Sequence, residues 1–444
     1  MARNNRELSV WTNGVRVGTW RWPARKATEF EYDEAWMSRD DARPLSLSLP
    51  LPAEPIPHTG TSVEAYFDNL LPDSENIRKR IQERFQTKSR TPFDLLSAVG
   101  RDCVGAIQLL PIDEEPSSVE TIEATSLSDR QIEDALAAVV SPKTFGVDAT
   151  EFRISIAGAQ EKTAFLKKNG KWCRPLGSTP TTHIFKLPLG LVANGQADMS
   201  TSVENEWLCS RIAAEFGLPI ANCEIEQFGA RKVLVVERFD RVLHSSGKFW
   251  LRLMQEDMCQ ATGLPNFKKY QSDGGPGVVD IARILDASVE RTADLEAFFK
   301  SQMLFYLLAA PDGHAKNFSI RMLPRGAYRS TPLYDVLSAW PVIGGRARQI
   351  PLQKIKLAMA LPGSSGWHYK VKEVQRRHFD ELAKRLKLSA QAGKLVADFV
   401  SDTPRVIDAV QRGLPRGFPQ PLLDSILDGM RKQARLLGSG SKLR

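Results

Sequence analysis

The hydrophobic pattern changes from strand-like to helical along the 444 residues, and this change limits the fold more than any other feature. At the front, two apolar runs flank Asn13-Gly14, which is typical of a β-hairpin turn. In the middle, strand-like runs at 152–156, 163–166, 182–187 and 233–236 accompany a helical period at 204–216. From residue 280 onward we expect helices, at 280–286, 293–309, 370–388, 390–400, 403–412 and 421–436. The chain therefore predicts an α+β fold class.

The chain is too long for one hydrophobic core, since cores stop growing near about 250–300 residues, and we expect two or three lobes. A Pro-rich stretch at 50–57 precedes a helical pattern from Val63 to Phe85. Residues 113–134 hold eight acidic residues and one arginine, which favours a boundary there, although a solvated loop inside one lobe would have the same composition. We expect a β-rich N-terminal subdomain at 1–112, the rest of an N-terminal lobe at 113–240, a helical C-terminal lobe at 241–437 and a flexible tail at 438–444.

Three features favour a cytoplasmic protein without a membrane partner. The five cysteines are scattered and include no C-x-x-C pair, which is typical of reduced, mostly buried thiols. The longest apolar run, Met303 to Ala310, is far shorter than the roughly 20 residues that span a bilayer. The sequence begins without the apolar segment of a secretory signal. The six histidines also lack the spacing of a zinc site, so we expect none.

The positive charge is concentrated near the end of the chain. Lys and Arg exceed Asp and Glu by 60 to 52, which gives a net charge of +8, and residues 371–444 hold 15 of the basic against 8 of the acidic residues. This local excess permits a contact with nucleic acid but does not require one, because a solvated helix face has the same composition.

The segment from Ala310 to Asn317 has the pattern of a phosphotransfer site. Asp312 and Asn317 are five residues apart and directly follow an apolar run. A kinase catalytic loop uses an Asp to accept the proton of the attacking hydroxyl and, five residues later, an Asn to bind Mg²⁺. Asp335 would complete the metal site. The pair alone is weak evidence, since turns and helix caps use both residue types.

A small-residue loop precedes this segment at 153–163. Its small side chains would let backbone N–H groups approach phosphate oxygens, and Lys162 would add charge. Glu161 breaks the Walker A pattern, however, and an ordinary tight turn fits the residues as well.

Two further patterns lie between the loops. Lys186 lies in an apolar strand, where it is either an edge lysine or a phosphate-binding lysine paired with a helix glutamate, Glu206 or Glu204. Residues 235–241 are either a hinge that binds adenine, with Asp240 near the ribose, or a plain strand that runs into a loop. Each pattern is weak alone, but their order along the chain is that of a bilobal kinase.

These segments also resemble the HipA toxins, the serine/threonine kinases of type II toxin–antitoxin systems. The resemblance lies in FRISIAGAQEKT (152–163), TTHIFKL (181–187), VERFDR (236–241) and DGHAKN (312–317), with further likeness at FDNLLP (67–72) and VGRD (99–102). It covers nearly the whole chain. It implies a bilobal protein-kinase-like fold with a β-rich N-terminal lobe, an all-helical C-terminal lobe, and ATP and Mg²⁺ as cofactors.

The resemblance also implies roles for individual residues. Asp312 would be the catalytic base, Asn317 and Asp335 would hold Mg²⁺, and Ser155 would be a site of inactivating autophosphorylation. The nucleotide would be held by the phosphate loop Ala157, Gly158, Ala159, Gln160, Glu161 and Lys162, by Lys186, by the hinge residues Glu237, Arg238, Phe239 and Asp240, and by His314 and Lys316 in the catalytic loop. A structural role for His314 fits equally well.

The implied partners follow from the same family. They are a HipB-like helix-turn-helix antitoxin dimer, operator DNA reached mainly through that antitoxin, and a protein substrate of the aminoacyl-tRNA synthetase class, with glutamate-tRNA ligase as the expected target. Lys384 and Arg385 would face the DNA. Growth arrest and persistence would follow from the kinase activity. Two alternatives remain open, a kinase of the same fold that acts on a small molecule, and a non-catalytic DNA-bound corepressor.

Overall fold

The computed structural model describes residues 6–23, 26–117, 119–140, 160–193 and 195–439. The chain divides into two compact units that are built from interleaved stretches. Unit 1 comprises Met1–Leu187, Glu226–Lys269 and Ser319–Tyr328, and unit 2 comprises Pro188–Ile225, Tyr270–Phe318 and Arg329–Arg444. The α+β prediction is confirmed, while the domain boundaries expected near 112 and 240 stay predictions.

The strands of the described ranges are β1 (Arg6–Thr12), β2 (Val15–Trp22), β3 (Glu29–Tyr32), β4 (His58–Thr59), β5 (Ile107–Pro111), β6 (Ala124–Ser126), β7 (Lys162–Lys168), β8 (Lys171–Pro175), β9 (His183–Lys186), β10 (Gly190–Val192), β11 (Ala197–Met199), β12 (Cys223–Phe228), β13 (Arg231–Glu237), β14 (Arg241–Leu243), β15 (Trp250–Arg252), β16 (Gln255–Asp257), β17 (Ser319–Met322), β18 (Tyr328–Ser330), β19 (Lys356–Gly363) and β20 (Gly366–Lys370).

The helices are α1 (Glu34–Met37), α2 (Thr61–Asp68), α3 (Glu75–Phe85), α4 (Pro92–Val99), α5 (Asp129–Val140), α6 (Ser202–Glu215), α7 (Met258–Ala261), α8 (Val278–Leu285), α9 (Arg291–Leu308), α10 (Arg376–Arg385), α11 (Ser389–Arg412) and α12 (Gln420–Ser439).

The first sheet of unit 1 has the strand order β4-β3-β2-β1-β5. The predicted hairpin is confirmed, because β1 and β2 pair antiparallel across Asn13 and Gly14, which have φ values of 46° and 81°. Positive φ at both central residues is the geometry that matches the twist of paired strands. Trp20 from β2 stacks on Phe67 of α2 with ring centroids 3.9 Å apart, so this sheet and α2 share one core.

The second sheet of unit 1 has the order β12-β13-β9-β7-β8-β6, so β9 is a central strand. Apolar residues of β7, β9 and β13 form a buried cluster with α5, in which Phe165, Phe185 and Val235 lie against Ile132 and Leu136. The aromatic rings of Phe165 and Phe185 meet edge to face at 4.9 Å. This packing fixes the strand that carries Lys186.

Unit 2 is organised around α9. Apolar residues lie on every side of this helix, and all of its last eight residues, Ser301 to Leu308, are buried. A helix that is apolar on all sides is a core helix. Within unit 2, α8, α10, α11 and α12 all pack against it. The C-terminal region is therefore mainly helical as predicted, but it is not all-helical, since β19 and β20 form a hairpin in it.

Three helix predictions were wrong in detail. The pattern at 63–85 is two helices, because α2 ends before Asn69, whose side-chain amide donates to the carbonyls of Ala65 and Leu264 at 2.8 and 2.9 Å. The pattern at 370–388 begins as β20, and α10 starts only at Arg376. The two patterns at 390–400 and 403–412 are one helix, α11, with Pro404 inside it. The strand predicted at 152–156 lies outside the described residues.

All five cysteines are buried and none is in a disulfide. Within the described ranges, every helix is too short or too polar to cross a membrane.

Candidate active site

Two lysines lie side by side on the second sheet of unit 1. The antiparallel register of β7 and β9 places Lys162 directly opposite Lys186, and Lys186 is buried, with 6% of its surface exposed. Because β9 is a central strand, the alternative of an edge lysine is wrong. Like charges at directly opposite positions destabilise a sheet. The binding of phosphate by these two lysines stays a prediction.

The residues before β7 are tied to the end of β9. The side-chain amide of Gln160 donates to the carbonyl of Leu187 at 2.5 Å, and the N–H of Leu187 donates to the carbonyl of Glu161 at 3.1 Å. The carboxylate of Glu161 forms an ion pair with Arg80 of α3. These bonds fix the point at which the predicted phosphate loop enters the sheet. The remaining predicted loop residues and the autophosphorylation site lie outside the described residues, namely Ala157, Gly158, Ala159 and Ser155.

The predicted hinge follows β13, which ends at Glu237. The N–H of Arg238 donates to the carbonyl of Thr182 at 2.9 Å, so the chain stays close to the start of β9 as it leaves the sheet. Phe239 comes next and is half-buried. The binding of adenine by Glu237, Arg238 and Phe239 stays a prediction.

The side chains of Arg238 and Asp240 belong to a buried ion cluster, which also contains Asp102, Arg241 and Arg252. Asp240 accepts hydrogen bonds from Arg238 at 2.8 and 3.0 Å and from the N–H of Gly105 at 2.7 Å. Both of its oxygens are thus engaged, and its side chain is 6% exposed. The structure therefore gives Asp240 a role in this cluster, and its predicted position near a ribose stays a prediction.

Asp102 lies at the centre of the cluster. It accepts from Arg241 at 2.9 Å and from the N–H and hydroxyl of Thr181 at 3.1 and 2.7 Å, and it lies within 3.4 Å of Arg238 and Arg252. Desolvation by burial opposes its ionisation, but the three guanidinium groups outweigh that effect and hold the pKa of Asp102 well below its usual value. The segment VGRD thus supplies the anion that holds the region after β13 in place.

The catalytic-loop candidate in unit 2 begins where α9 ends. Ala309 adopts a left-handed conformation with φ of 47°, which stops the helix. A Cβ added to Gly313 would lie 2.4 Å from the ring of Phe305, so only glycine lets the loop pack this closely on α9. A short 3₁₀ turn follows at Ala315–Asn317. The loop is therefore set by backbone constraints on both sides of Asp312.

Asp312 is held by two aromatic side chains but stays accessible. The hydroxyl of Tyr270 donates to its Oδ1, and Nε2 of His314 lies 3.5 Å from the same oxygen. The rings of Tyr270 and His314 meet edge to face at 5.0 Å. The side chain of Asp312 is 44% exposed, so a substrate hydroxyl has access to the carboxylate. A fixed and accessible carboxylate is what a general base requires.

Asn317 and Asp335 offer the oxygen atoms that a magnesium ion prefers, and their joint role in holding the ion stays a prediction. The side-chain amide nitrogen of Asn317 donates to the main-chain oxygen of Asp312 at 2.6 Å, which leaves Oδ1 as the acceptor atom of that amide. Asp335 adds a carboxylate, in the left-handed conformation with φ of 62° that Asp tolerates better than most residues. Mg²⁺ prefers such oxygen ligands and keeps several waters. In the described part of the chain no cluster of three or more His, Cys, Asp or Glu side chains could hold a metal ion.

Three other predicted residues have defined surroundings in unit 2. Lys316 is 6% exposed, and its carbonyl accepts from the hydroxyl of Tyr334 at 2.8 Å, next to Asp335 in sequence. Glu204 and Glu206 are both buried in α6. The pairing of either glutamate with Lys186 stays a prediction.

The two residues predicted to face DNA lie at the end of α10. Lys384 and Arg385 are 68% and 41% exposed, and both lie within 3.5 Å of Glu381. The guanidinium of Arg385 also lies over the ring of Trp367. Their exposure permits a contact with a partner, and their role in DNA binding stays a prediction.

Comparisons with known proteins show the family to which this chain belongs. The family model described as the HipA-like C-terminal domain matches residues 154–407, and the one described as the HipA N-terminal domain matches residues 8–110. An inferred kinase of Sinorhizobium fredii designated Y4mE is 34% identical over 83% of this chain and 86% of its own. The serine/threonine-protein kinase toxin HipA of Shewanella oneidensis is 30% identical over 69% of each chain.

A solved structure shows the same fold. It is the HipA of Shewanella oneidensis MR-1 in a complex with HipB and its operator DNA, with a TM-score of 0.78, 21% identity, and coverage of 98% of this chain and 99% of that one. Fold, family models and relatives define the chain as a protein kinase. It belongs to the HipA family, whose C-terminal model alone matches more than half of its length.

Sequence reasoning missed two residues of the site. Tyr270 lies 42 residues before Asp312 and carries no motif that would connect the two. Asp102 was noticed only as part of a family segment, since its arginine partners lie more than 130 residues further along the chain. No local signal could have revealed either contact.

Proposed function

We propose that this chain is an ATP- and Mg²⁺-dependent serine/threonine protein kinase that acts as the toxin of a toxin–antitoxin module. One observation carries the proposal: a single short loop offers the accessible carboxylate of Asp312, fixed by Tyr270, and the amide oxygen of Asn317. The kinase reaction needs a base and a metal ligand at this spacing.

In the proposed reaction, Lys162 and Lys186 neutralise phosphate oxygens of ATP. Asp312 orients the substrate hydroxyl and accepts its proton while the oxygen attacks the γ-phosphorus and the bond to ADP breaks. Asn317 and Asp335 would hold Mg²⁺, which supplies charge neutralisation at the transferred phosphoryl group. The buried cluster around Asp102 keeps the segment after β13 in one conformation.

The proposed partners rest on the family. The target is a protein of the aminoacyl-tRNA synthetase class, with glutamate-tRNA ligase as the first candidate, and its phosphorylation arrests growth. A HipB-like dimer binds the kinase and links it to operator DNA. This part of the proposal is supported by the Shewanella HipA, which was solved in a complex with HipB and its operator DNA. Phosphate on Ser155 adds about −1.5 to −2 charge beside an anion-binding loop, so autophosphorylation inactivates the enzyme.

A labelling experiment tests the function and separates it from the two alternatives. The purified chain is incubated with Mg²⁺ and γ-labelled ATP, with glutamate-tRNA ligase or with a panel of sugars and antibiotics. We expect label on the ligase and on Ser155, and no label on the ligase with Asp335→Asn. Turnover of a metabolite without labelled protein would favour a small-molecule kinase. ATP binding without any transfer would favour the non-catalytic corepressor.

A further inference from the structure

A long stretch with high net positive charge lies outside the active-site residues. Residues 346–377 contain eight Lys and Arg residues and a single acid, Glu373. This stretch forms the β19–β20 hairpin and leads into α10, all within unit 2. None of the residues assigned to ATP, Mg²⁺ or the catalytic base lies in it. So many like charges are stabilised either by an anionic partner or by solvent. The shape of the protein surface around them distinguishes these two cases.

Three of these eight basic residues line a cavity of about 590 Å³. Three cations and one acid line it together with two amide side chains: Lys370, Lys372, Arg377, Glu373, Gln353 and Gln375. Lys370 is bound to Glu373 at 2.9 Å. Within the described residues, Lys372 and Arg377 have no ion pair shorter than 4 Å, whereas the neighbouring Arg376 is paired with Asp380 at 3.1 Å. The cavity therefore keeps an uncompensated double positive charge.

One wall of the cavity is already fixed. His368 lines it, and its ring stacks on that of His378 at 3.9 Å with an interplanar angle of 13°. Nδ1 of His378 accepts from the N–H of Gln375, so His378 also caps the N-terminus of α10. The partial positive charge of a helix N-terminus adds to that of the lysine and arginine. Preformed walls and fixed charge are typical of ligand sites.

The size and charge define the ligand. Small-molecule pockets span about 300–1,000 Å³, so this cavity has room for more than a bare phosphate ion. Two uncompensated cations require at least two negative charges, and the glutamine amides offer hydrogen bonds to uncharged atoms. We propose that this cavity binds a small phosphorylated molecule of about nucleotide size, at a site separate from the kinase active site.

The site is tested by calorimetric titration of the full chain with UDP and with inorganic pyrophosphate. UDP is chosen because its base differs from the adenine that the kinase active site is proposed to bind. We expect one saturable UDP site that is tighter than that for pyrophosphate. Lys372→Gln with Arg377→Gln should weaken UDP binding at least tenfold. The control Arg376→Gln with Lys394→Gln removes equal charge outside the cavity lining and should leave it unchanged. Glu373→Gln should tighten binding severalfold, which a folding defect could not produce.

The proposed site is overturned if neither UDP nor pyrophosphate binds saturably. It is also overturned if the cavity variant and its control lose the same amount of UDP affinity. If the native chain binds a 20-base-pair DNA duplex but not UDP, and the cavity variant loses the binding of that duplex, the charged surface is a nucleic-acid contact and not a small-molecule site. Phosphotransfer is measured in parallel, and we expect it to be unchanged in the cavity variant, so failure of this site and failure of the kinase function are distinguishable.

Discussion

The hydroxyl of Tyr270 donates a hydrogen bond to the carboxylate of Asp312, and this contact decides how the candidate base is presented. Tyr270 and His314 both lie on the Oδ1 side of a carboxylate whose side chain is 44% exposed. Tyr270 is thus a positioning residue, because it acts through Asp312 and not on the substrate. A general base misplaced by a fraction of an ångström loses much of its effect.

Tyr270→Phe removes only the donor and keeps the ring against His314. We expect kcat to fall about tenfold or more, which corresponds to one hydrogen bond to a charged group. KM for ATP and the melting temperature should stay close to those of the native chain. Tyr369→Phe, at a half-buried tyrosine of β20, is the matched control. An unchanged kcat in Tyr270→Phe would show that the contact has no positioning role.

Glu256 provides a pH test at the same scale. It is buried in β16, where its Oε1 accepts from the N–H of Leu47 at 2.8 Å, and desolvation raises its pKa from 4.5 to about 8. The folded chain keeps this proton up to about pH 8, while the unfolded chain releases it near pH 4.5. The stabilising contribution is therefore complete below pH 4.5 and is lost as the pH rises through 8.

Urea unfolding measured between pH 5 and 8 checks this sign. The free energy of unfolding of the native chain should carry a term that falls by about 1.4 kcal/mol per pH unit. Glu256→Gln should remove that term, and Glu224→Gln, at an exposed glutamate, should keep it. The same pH dependence in native and Glu256→Gln proteins would mean that Glu256 is ionised in the fold.

At the scale of elements, sequence patterns predicted the structures that neighbouring residues determine. They did not predict the structures that depend on contacts between residues far apart in the chain. The β1–β2 hairpin was predictable because Asn13 and Gly14 themselves adopt the required turn. The break between α2 and α3 had a local signal in Pro72, and a bond from Asn69 to Leu264, 195 residues away, adds to it. The β19–β20 hairpin was not predicted, and the helix expected at 370–388 overlaps β20 only at Lys370. The strand position of Lys186 was predicted, but its pairing with Lys162 required the register.

The buried cluster that ties VGRD to the region after β13 gives an element-scale prediction. Asp102→Asn removes the central negative charge and leaves three buried guanidinium groups with Asp240 as their only carboxylate in the cluster. Breaking such a buried pair costs about 3–5 kcal/mol. We expect a loss of that size in the free energy of unfolding by urea, against no loss for the exposed control Asp113→Asn. A cost below about 1 kcal/mol would mean that solvent reaches the cluster.

At the scale of the whole molecule, the chain passes between the two units at 187, 225, 269, 318 and 328. The predicted phosphate loop, Lys186 and the predicted hinge belong to unit 1, while the catalytic loop, with His314 and Lys316, and the candidate metal ligands belong to unit 2. Composition could not reveal this interleaving, because the crossings at 225 and 328 lie inside β12 and β18 and the other three lie between elements. It did reveal the uneven charge, with an excess of basic residues at 371–444.

The exposed end of α10 gives a prediction for the complex with an antitoxin. Lys384→Glu with Arg385→Glu should weaken binding of that complex to operator DNA. The slope of the logarithm of the binding constant against the logarithm of the salt concentration should decrease by the amount expected for about two lost phosphate contacts. Phosphotransfer should be unchanged. Lys171→Glu with Lys248→Glu, two exposed lysines of unit 1, is the charge-matched control. Equal weakening by both pairs would indicate a general effect of net charge without a DNA-facing surface.

The central claim, that Asp312 is the base of a protein kinase, is tested most directly by the rate of phosphate transfer from labelled ATP to protein in Asp312→Asn. The substitution keeps the shape of the side chain and removes its ability to accept a proton. We predict a loss of about 10²–10⁴-fold with an unchanged melting temperature, the range that general-base catalysis contributes. Labelling of the substrate and of the chain itself at the native rate would contradict the account.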